Sequence, residues 1–318
     1  PATRFKILYK LDKFVINGNR ELRGEIEVRG SKNAAGPVLA AVLLTDEECV
    51  IDNLPLIEDI KNTIEILKSI GVKIENLSER KIKAKADSID PGKMNFDKFS
   101  KMRISVLLVG SLLARFKHFK FPSPGGDIIG LRPISVHLNA LENLGAKVQR
   151  QGDIYEVERE ELYGKEIVLR EFSVTTTEML MMASLLAKGK TIIKGAAAEP
   201  HVEDLGKMLL KMGANIKGHG SHVIEIEGVE RLHGAEHRIT PDYLEAGTFI
   251  VSGALNPGKI TVKNVDLGHL DLFLAKLEEI GVNFERGKNE ITVWHSPNLN
   301  SVKVQALRIL VSQPIYFR

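Results

Sequence analysis

The sequence has little cysteine and no long hydrophobic run. Its single cysteine, Cys49, can form neither an internal disulfide nor a cysteine-based zinc site, which favours a reducing compartment. The longest apolar stretches, residues 34–44 and 104–114, reach about half of the ~20 residues that a transmembrane helix requires. No segment joins a basic region to an apolar region and a small-residue cleavage site. We therefore expect a cytoplasmic protein that has no membrane partner.

Charge of one sign is also scarce, because the 318 residues carry a net charge of only +3. This balance suits anionic small molecules and gives no case for a nucleic-acid partner. With 43% hydrophobic and 27% charged residues, the chain has the composition of a globular protein and is long enough for about two domains.

Several familiar catalytic and metal-binding motifs are missing. The chain contains no Walker loop, no Rossmann glycine fingerprint and no nucleophile elbow. His233 and His237 have a spacing seen in metal ligands, but no third ligand is near them in the sequence. We interpret them as loop histidines, and we expect neither a metal nor a cofactor.

Four segments of the chain repeat one pattern, which consists of a helix, a strand, a second helix and a second strand. The second helix of each ends at a glycine, after which the apolar pattern changes from helical to alternating. These glycines lie 74, 68 and 68 residues apart, at Gly71, Gly145, Gly213 and Gly281. The repeat is longer than that of common solenoids, so we predict a pseudo-symmetric α/β fold built of βαβ-type units.

The motif GSKNAA at residues 30–35 opens the first repeat. Ser31 can cap the helix that follows, and Lys32 falls in its first turn. Backbone N–H groups and a lysine at a helix start bind anions such as phosphate or carboxylate. The alternative is an ordinary capped helix whose lysine is solvated.

Residues 122–133 form an insertion within the second repeat. The stretch is rich in proline and glycine, which build defined surface turns, and loops on rigid scaffolds often carry function. Asp127 lies near its tip, and Arg132 precedes Pro133, which is favourable as a first helical residue. The alternative is a turn without a function.

Residues 173–178, SVTTTE, form a third helix start. We interpret them as a capping box in which Thr175 or a neighbour caps the helix and Glu178 reaches back. A purely structural role is the favoured interpretation of this segment. From the residues alone, the sequence indicates an α/β protein that binds a small anion.

Taken together, these segments resemble the UDP-N-acetylglucosamine 1-carboxyvinyltransferases, a family of enolpyruvyl transferases. The resemblance runs from about residue 12 to residue 307 and includes KMR at 101–103, PGGDIIGLRP at 124–133, AEP at 198–200 and PDYLEAGTF at 241–249. It implies an inside-out α/β barrel of two domains, each with three pseudo-repeats. It also implies transfer of the enolpyruvyl group of phosphoenolpyruvate to the 3′-hydroxyl of UDP-N-acetylglucosamine, the first committed step of peptidoglycan synthesis.

The resemblance assigns roles to particular residues. Lys32 and Asn33 would lie at the phosphoenolpyruvate and sugar end, Lys32 with a catalytic role, while Arg103 and Arg132 would contact phosphate groups. The nucleotide would be lined by Pro133, Ile134, Ser135, Val136, Ser173 and Val174. Residues 122–132 would close over the substrates and exclude water from the reactive adduct.

This chain departs from the family pattern at several positions. Most members have a cysteine at the loop tip where this chain has Asp127, which we expect to act as the proton donor in a closed, dry loop. A carboxylate is a poorer nucleophile toward an epoxide than a thiolate, so we expect insensitivity to fosfomycin. Glu171 stands where lysine is common, Thr175 replaces a glycine and His201 replaces an acidic residue.

The end of the sequence also departs from the family. The family continues with a motif of the type PYPGFPTD, whereas this chain has RILVSQPIY at residues 308–316. Permitted codons for those residues encode PYPGFPTDL when they are read one base earlier, so we expect a frameshift over residues 308–318. We expect residues 1–29 and 239–318 to form an incomplete domain around a complete domain at residues 30–238. A truncated chain of this kind would be inactive or nearly so, and prone to aggregate.

Two alternatives to the leading function remain. The first is the related 3-phosphoshikimate 1-carboxyvinyltransferase, although that enzyme lacks the PGG…GxRP loop. The second is a non-catalytic remnant that binds a nucleotide-sugar through its complete domain.

Overall fold

A computed structural model describes Val15, Gly18, residues 20–126 and residues 133–304. The predicted loop residues Asp127 and Arg132, and the predicted frameshift at residues 308–318, lie outside the described residues. No helix within the described ranges has the length and apolar character needed to span a bilayer.

Each of the four repeats adopts the same order of elements, a helix, a strand, a second helix and then two strands. The first repeat has α1 (Lys32–Ala41), β2 (Glu48–Asp52), α2 (Glu58–Ser69), β3 (Lys73–Ser78) and β4 (Lys81–Lys85). The second follows a short α3 (Phe96–Phe99) and has α4 (Leu107–Arg115), β5 (His118–Pro122), α5 (Ser135–Leu144), β6 (Lys147–Gln151) and β7 (Ile154–Glu158). The third follows β8 (Glu166–Val168) and has α6 (Val174–Ser184), β9 (Lys190–Lys194), α7 (Pro200–Lys211), β10 (Asn215–Lys217) and β11 (Val223–Glu227). The fourth has α8 (Tyr243–Leu255), β13 (Gly258–Lys263), α9 (Asp271–Ile280), β14 (Asn283–Arg286) and β15 (Glu290–Trp294). Two further strands are β1 (Leu22–Glu27) and β12 (Glu236–Arg238).

The repeats form four separate sheets with a shared topology. In each repeat the last two strands form an antiparallel hairpin whose final strand pairs with the first strand, as in the order β5-β7-β6. Parallel pairing arises where a strand from outside the repeat joins, as β1 does on β13 and β12 does on β2. The final strand of each repeat was not part of the predicted pattern.

The predicted helix stops are confirmed. The four glycines have φ between 91° and 110°, and two of them, Gly145 and Gly281, are the C-caps of α5 and α9. A side chain in this left-handed region is strained, which explains why glycine occupies the same point of each repeat.

The core divides into two clusters of buried residues. The larger cluster spans residues 34–239 and is centred on α1, α4 and α6, which contact one another and are buried along most of their length. The smaller cluster consists of Val28 and residues from 246 to 293. Because α1, α4 and α6 shield one another from water, their apolar character on all sides follows from their position.

Two chain segments connect the clusters, and they run side by side. The backbone N–H of Ser31 donates to the Thr240 carbonyl at 2.8 Å, and the N–H of Asp242 donates to the Arg29 carbonyl at 2.8 Å. Gly30 lies between them so close to Asn53 that an added Cβ would be 1.8 Å from the Asn53 carbonyl oxygen. The start of α1 is therefore fixed at the junction of the two clusters.

Candidate active site

Lys32 lies at the junction, at the first position of α1. The predicted cap is confirmed, since the Ser31 Oγ accepts a hydrogen bond from the Ala34 N–H at 3.4 Å. The Lys32 ammonium is not simply solvated, because it forms an ion pair of 2.7 Å with the Asp59 carboxylate. Asn33, the next residue of α1, is half-buried.

Asp242, which precedes α8 of the smaller cluster, places its carboxylate next to the start of α1. It caps α8 by accepting from the Leu244 and Glu245 N–H groups at 2.9 and 3.3 Å, and it also accepts from the Lys32 N–H at 3.3 Å. The first turns of α1 and α8 therefore share one carboxylate. A cleft of about 410 Å³ opens here, and it is lined by Arg29, Gly30, Lys32, Pro55, Leu56, Ile57, Arg80, Asp242 and Glu245.

Arg103 lies next to α1 and holds the far end of the insertion. Its guanidinium donates to the Pro133 carbonyl at 3.0 Å, and the following residue, Ile104, packs against Gly36 of α1. The near end of the insertion passes the same segment, where a Cβ at Gly125 would be 1.9 Å from the Ser100 carbonyl oxygen. The segment around Arg103 thus anchors both ends of the predicted loop.

The length of the insertion agrees with the sequence analysis, but the helix start does not. Twelve residues separate β5 from α5, against five between β2 and α2. The prediction that Pro133 is a first helical residue is wrong, since α5 begins at Ser135 with Ile134 as its N-cap. Ile134 is buried while Pro133 and Ser135 are exposed, so packing of Ile134 sets the boundary.

The predicted capping box at residues 173–178 is only half right. Ser173 caps α6 through its Oγ, which accepts from the Thr176 N–H at 3.3 Å, and Val174 is the first helical residue. Glu178 does not reach back, because a capping box needs the third helical residue and Glu178 is the fifth. Glu178 is instead 1% exposed, and its Oε1 has no hydrogen-bond partner among the described residues.

A side-chain hydrogen bond joins the starts of α5 and α6. The Nε2 of His137, on the first turn of α5, lies 2.8 Å from the Thr175 Oγ1 of α6. Burial, with a contribution from the Arg103 charge, lowers the pKa of His137 to about 3, so the ring is neutral near pH 7. Thr175, which replaces the family's glycine, therefore has a defined partner.

Among the described residues, neither His233 nor His237 belongs to a cluster of possible metal ligands. His233 is a loop residue as predicted, but the same interpretation of His237 is wrong, because this residue belongs to β12. The His237 Nε2 lies 3.1 Å from the Asp204 carboxylate, and both side chains are buried. His118, Glu156 and Glu158 form a cluster on an exposed sheet face, but Lys120 also contacts the Glu156 carboxylate at 3.1 Å.

The predicted site residues thus lie in two groups among the described residues. Lys32 lines the junction cleft and Asn33 follows it in α1, while Ser135 and Val136 line a second cleft beside the start of α5. Sequence reasoning assigned no role to Asp242, His137 or Arg170, which also lines the second cleft. The sequence does contain a signal for Asp242, because an aspartate that precedes an apolar helical stretch commonly caps the helix.

The fold and these helix starts define the class of protein. A family model described as EPSP synthase (3-phosphoshikimate 1-carboxyvinyltransferase) matches residues 16–313, and the chain belongs to this family of enolpyruvyl transferases. The enolpyruvyl transferase NikO from Streptomyces tendae has a similar structure, with a TM-score of 0.81 at 21% identity over 92% of this chain and 70% of that one. EPSP synthase from Acinetobacter baumannii gives a TM-score of 0.68 at 19% identity over 90% of this chain and 67% of that one. These likenesses establish the α/β enolpyruvyl transferase fold.

Closer relatives by sequence carry a more specific name. The UDP-N-acetylglucosamine 1-carboxyvinyltransferase of Koribacter versatilis is 41% identical over 293 residues, covering 91% of this chain and 67% of the relative. The protein of the same name from Endomicrobium trichonymphae is 42% identical over 302 residues, covering 93% of this chain and 71% of the relative. The chain therefore spans about two thirds of the length of these relatives.

Proposed function

We propose that the protein is an enolpyruvyl transferase that acts on UDP-N-acetylglucosamine. The 3′-hydroxyl of the sugar adds to C2 of phosphoenolpyruvate while C3 is protonated, and phosphate then leaves as C3 loses a proton. The observation that carries the proposal is the identity of about 40% to transferases with this substrate in their name, over about nine tenths of the chain. In a cell this reaction would serve peptidoglycan synthesis in the cytoplasm.

The arrangement of the described residues supports the proposal. The reaction needs cationic groups that hold phosphate and carboxylate, together with an acid near C3 and a base near the hydroxyl. Lys32 lies at a helix start in the junction cleft and Arg103 lies beside the insertion, so both can serve anionic groups. Asp127 and Arg132 stay proposed as proton donor and phosphate ligand, and residues 133–136 with Ser173 and Val174 as the nucleotide lining.

The domain division is likewise a proposal. We place a complete domain at residues 30–238 and a split domain at residues 1–29 and 239–318. The division of the buried core into two clusters supports this boundary, as does the paired crossing at residues 29–31 and 240–242.

The 3-phosphoshikimate enzyme is the second candidate, and the sequence relatives favour it less. Its support is the name of the family model and a structural likeness at 19% identity. A titration of the chain with shikimate 3-phosphate in place of the sugar nucleotide separates the two.

The proposal is tested by calorimetry and by phosphate release. We expect UDP-N-acetylglucosamine to bind, and its binding heat to change when phosphoenolpyruvate is present. Because residues 308–318 depart from the family pattern, we expect slow or no phosphate release from this chain, and binding is the primary readout. Binding of shikimate 3-phosphate without binding of the sugar nucleotide would reject the proposal.

A further inference from the structure

A histidine and two glutamates meet on the outer face of the sheet formed by β5, β7 and β6. His118 lies at the start of β5, and Glu156 and Glu158 lie on β7. One ligand atom from each of the three side chains lies within 4.8 Å of the others. The cluster has no role in the proposed transferase reaction. No metal was expected from the sequence, in which 38 residues separate His118 from Glu156.

The pairing of the two strands brings the three side chains together. In the antiparallel register His118 lies directly opposite Glu158, and Glu156 is two residues away on the same face. The other face of the sheet is apolar, because the intervening residues Phe119 and Val157 are 3% and 0% exposed. Since successive side chains of a strand alternate between faces, burial of the apolar face fixes this register. The arrangement of the cluster is therefore set by the backbone.

The three side chains are of the kinds that bind zinc. Imidazole nitrogen and carboxylate oxygen bind Zn²⁺ at about 2.0–2.2 Å, which places two tetrahedral ligands roughly 3.4 Å apart. The Nε2 of His118 is already 2.7 Å from the Glu156 Oε1, so small rotations of the side chains suffice to admit the ion. Mg²⁺ and Ca²⁺ prefer oxygen ligands, so the histidine favours a transition metal.

The two carboxylates can both serve as ligands. The hydrogen bond with His118, together with that from Lys120, lowers the pKa of the Glu156 carboxyl, so this group is ionised near pH 7. The Glu158 carboxylate forms no hydrogen bond or ion pair with the described residues, although Lys147 lies opposite it on β6. A carboxylate that lies beside a histidine and has no counter-ion is available to a metal.

Lys120 opposes the binding of a cation at this place. Its ammonium is 3.1 Å from the Glu156 Oε1 and its side chain is 47% exposed. A carboxylate has two oxygens, so Glu156 can keep this contact and bind a metal through its Oε2. Because the ammonium is exposed to water, its repulsion of the metal is no larger than an ordinary surface charge interaction.

We propose that His118, Glu156 and Glu158 bind a Zn²⁺ ion whose tetrahedral shell is completed by water. The ion joins β5 to β7 at the start of β5, four residues before this strand ends at Pro122 and the insertion begins. Zinc stabilises the folded protein, because the unfolded chain does not hold the three ligands together. The site does not depend on the proposed function, so either can fail alone.

Calorimetric titration with zinc chloride tests the proposal on the full chain, prepared without a histidine tag. The variants are H118N, E158Q and K120Q, and the matched control is H233N. His233 is 56% exposed and its Nδ1 is 3.4 Å from the Glu47 carboxylate, so it resembles His118 but lacks a second glutamate. Titration with magnesium chloride measures the general attraction of cations. Circular dichroism melts with and without Zn²⁺ give a second readout and establish that each variant is folded.

We expect H118N and E158Q to bind Zn²⁺ at least about tenfold more weakly than the wild type, since even groups behind the metal ligands change metal affinity about 10- to 100-fold. H233N should bind as the wild type does. K120Q should bind up to about fivefold more tightly, because one exposed opposing charge is gone. Zn²⁺ should raise the melting temperature of the wild type and of H233N, but not that of H118N.

Several outcomes would overturn the proposal. Equal affinities of H118N and the wild type for Zn²⁺, or an equal loss in H233N, would show that His118 is not a ligand. Binding of Mg²⁺ as tightly as Zn²⁺ would show that the carboxylates only attract cations through their charge. A wild type that gives neither binding heat nor a change of melting temperature with Zn²⁺ would also reject the site. None of these results affects the titrations with the sugar nucleotide.

Discussion

Replacing Glu178 with glutamine should change how the stability of the protein depends on pH. Glu178 is 1% exposed within α6, and its Oε1 has no hydrogen-bond partner among the described residues. Burial raises the pKa of this carboxyl well above its ordinary value, and repulsion from Glu199 raises it further. The group is therefore protonated in the folded protein under conditions in which the unfolded chain has lost the proton.

The size and sign of the effect follow from this difference in bound protons. In the unfolded chain the carboxyl ionises near its ordinary pKa of about 4.3, whereas the folded protein keeps the proton to higher pH. The contribution of Glu178 to the free energy of unfolding is thus fully present below the pKa of the unfolded chain. It is lost as the pH rises through the pKa of the folded protein. The loss is at most about 1.4 kcal/mol for each pH unit, which corresponds to one proton.

Urea unfolding at pH 5, 6, 7 and 8 measures this effect. Glutamine has nearly the same shape as glutamate and does not titrate, so E178Q should gain stability over the wild type as pH rises, by up to about 1.4 kcal/mol per unit. The control is E79Q, an amide replacement in the exposed turn between β3 and β4. If the stability difference between E178Q and the wild type were the same at all four pH values, the reasoning would be refuted.

Two further predictions concern a histidine and an apolar helix face. The pKa of His137 is lowered to about 3, so its contribution to stability is present above about pH 6.5 and is lost as pH falls toward 3. Compared with the wild type, H137N should lose less stability in urea unfolding between pH 7 and pH 4.5, and parallel losses would contradict the reasoning. Leu244 and Leu255 on α8 are 54% and 59% exposed, so we expect the chain to self-associate and the double variant L244K/L255K to sediment as a smaller species. L272K on α9, at a leucine 79% exposed, is the control, and association unaffected by the double variant would count against this face.

Much of the fold could be predicted because local chemistry repeats along the chain. Glycine at the end of each second helix, as at Gly145 and Gly281, marks a backbone conformation that other residues avoid. The Ser31 cap and the length of the insertion after β5 could be found for the same reason, since each depends on neighbours in sequence. The family resemblance then supplied the order in which the units assemble.

The wrong predictions concern positions at which packing against the core decides the local structure. Pro133 has the right backbone for a helix start, but burial of Ile134 moves the start to Ser135. Glu178 follows threonines in a pattern typical of a cap, yet α6 is buried on all sides from Thr176 to Ser184, so this carboxyl lies in the core. The local pattern gives no sign that the core covers this polar position.

The parts of the candidate site that combine residues far apart in the sequence were the hardest to predict. Arg170 and Ser135 line one cleft although 35 residues separate them, and Asp242 accepts a hydrogen bond from Lys32 across 210 residues. The paired segments at the junction and the hydrogen bond between His137 and Thr175 are among the contacts that bring these groups together. The second cleft therefore becomes visible only when the chain is folded.

The paired crossing between the two clusters also favours one order of folding. Strand β1 pairs with β13, and 230 residues lie between them, so a nascent chain would carry β1 unpaired for roughly 10–50 s at ordinary rates of synthesis. If the larger cluster folds first, it brings residues 29 and 242 together and shortens the loop that remains to be closed to about twenty residues. The entropic cost of closing the loop then falls by about 2 kcal/mol. In β1 every second residue is charged, at Arg23, Glu25 and Glu27. These charges keep the strand solvated and protect it from wrong pairing before β13 is available.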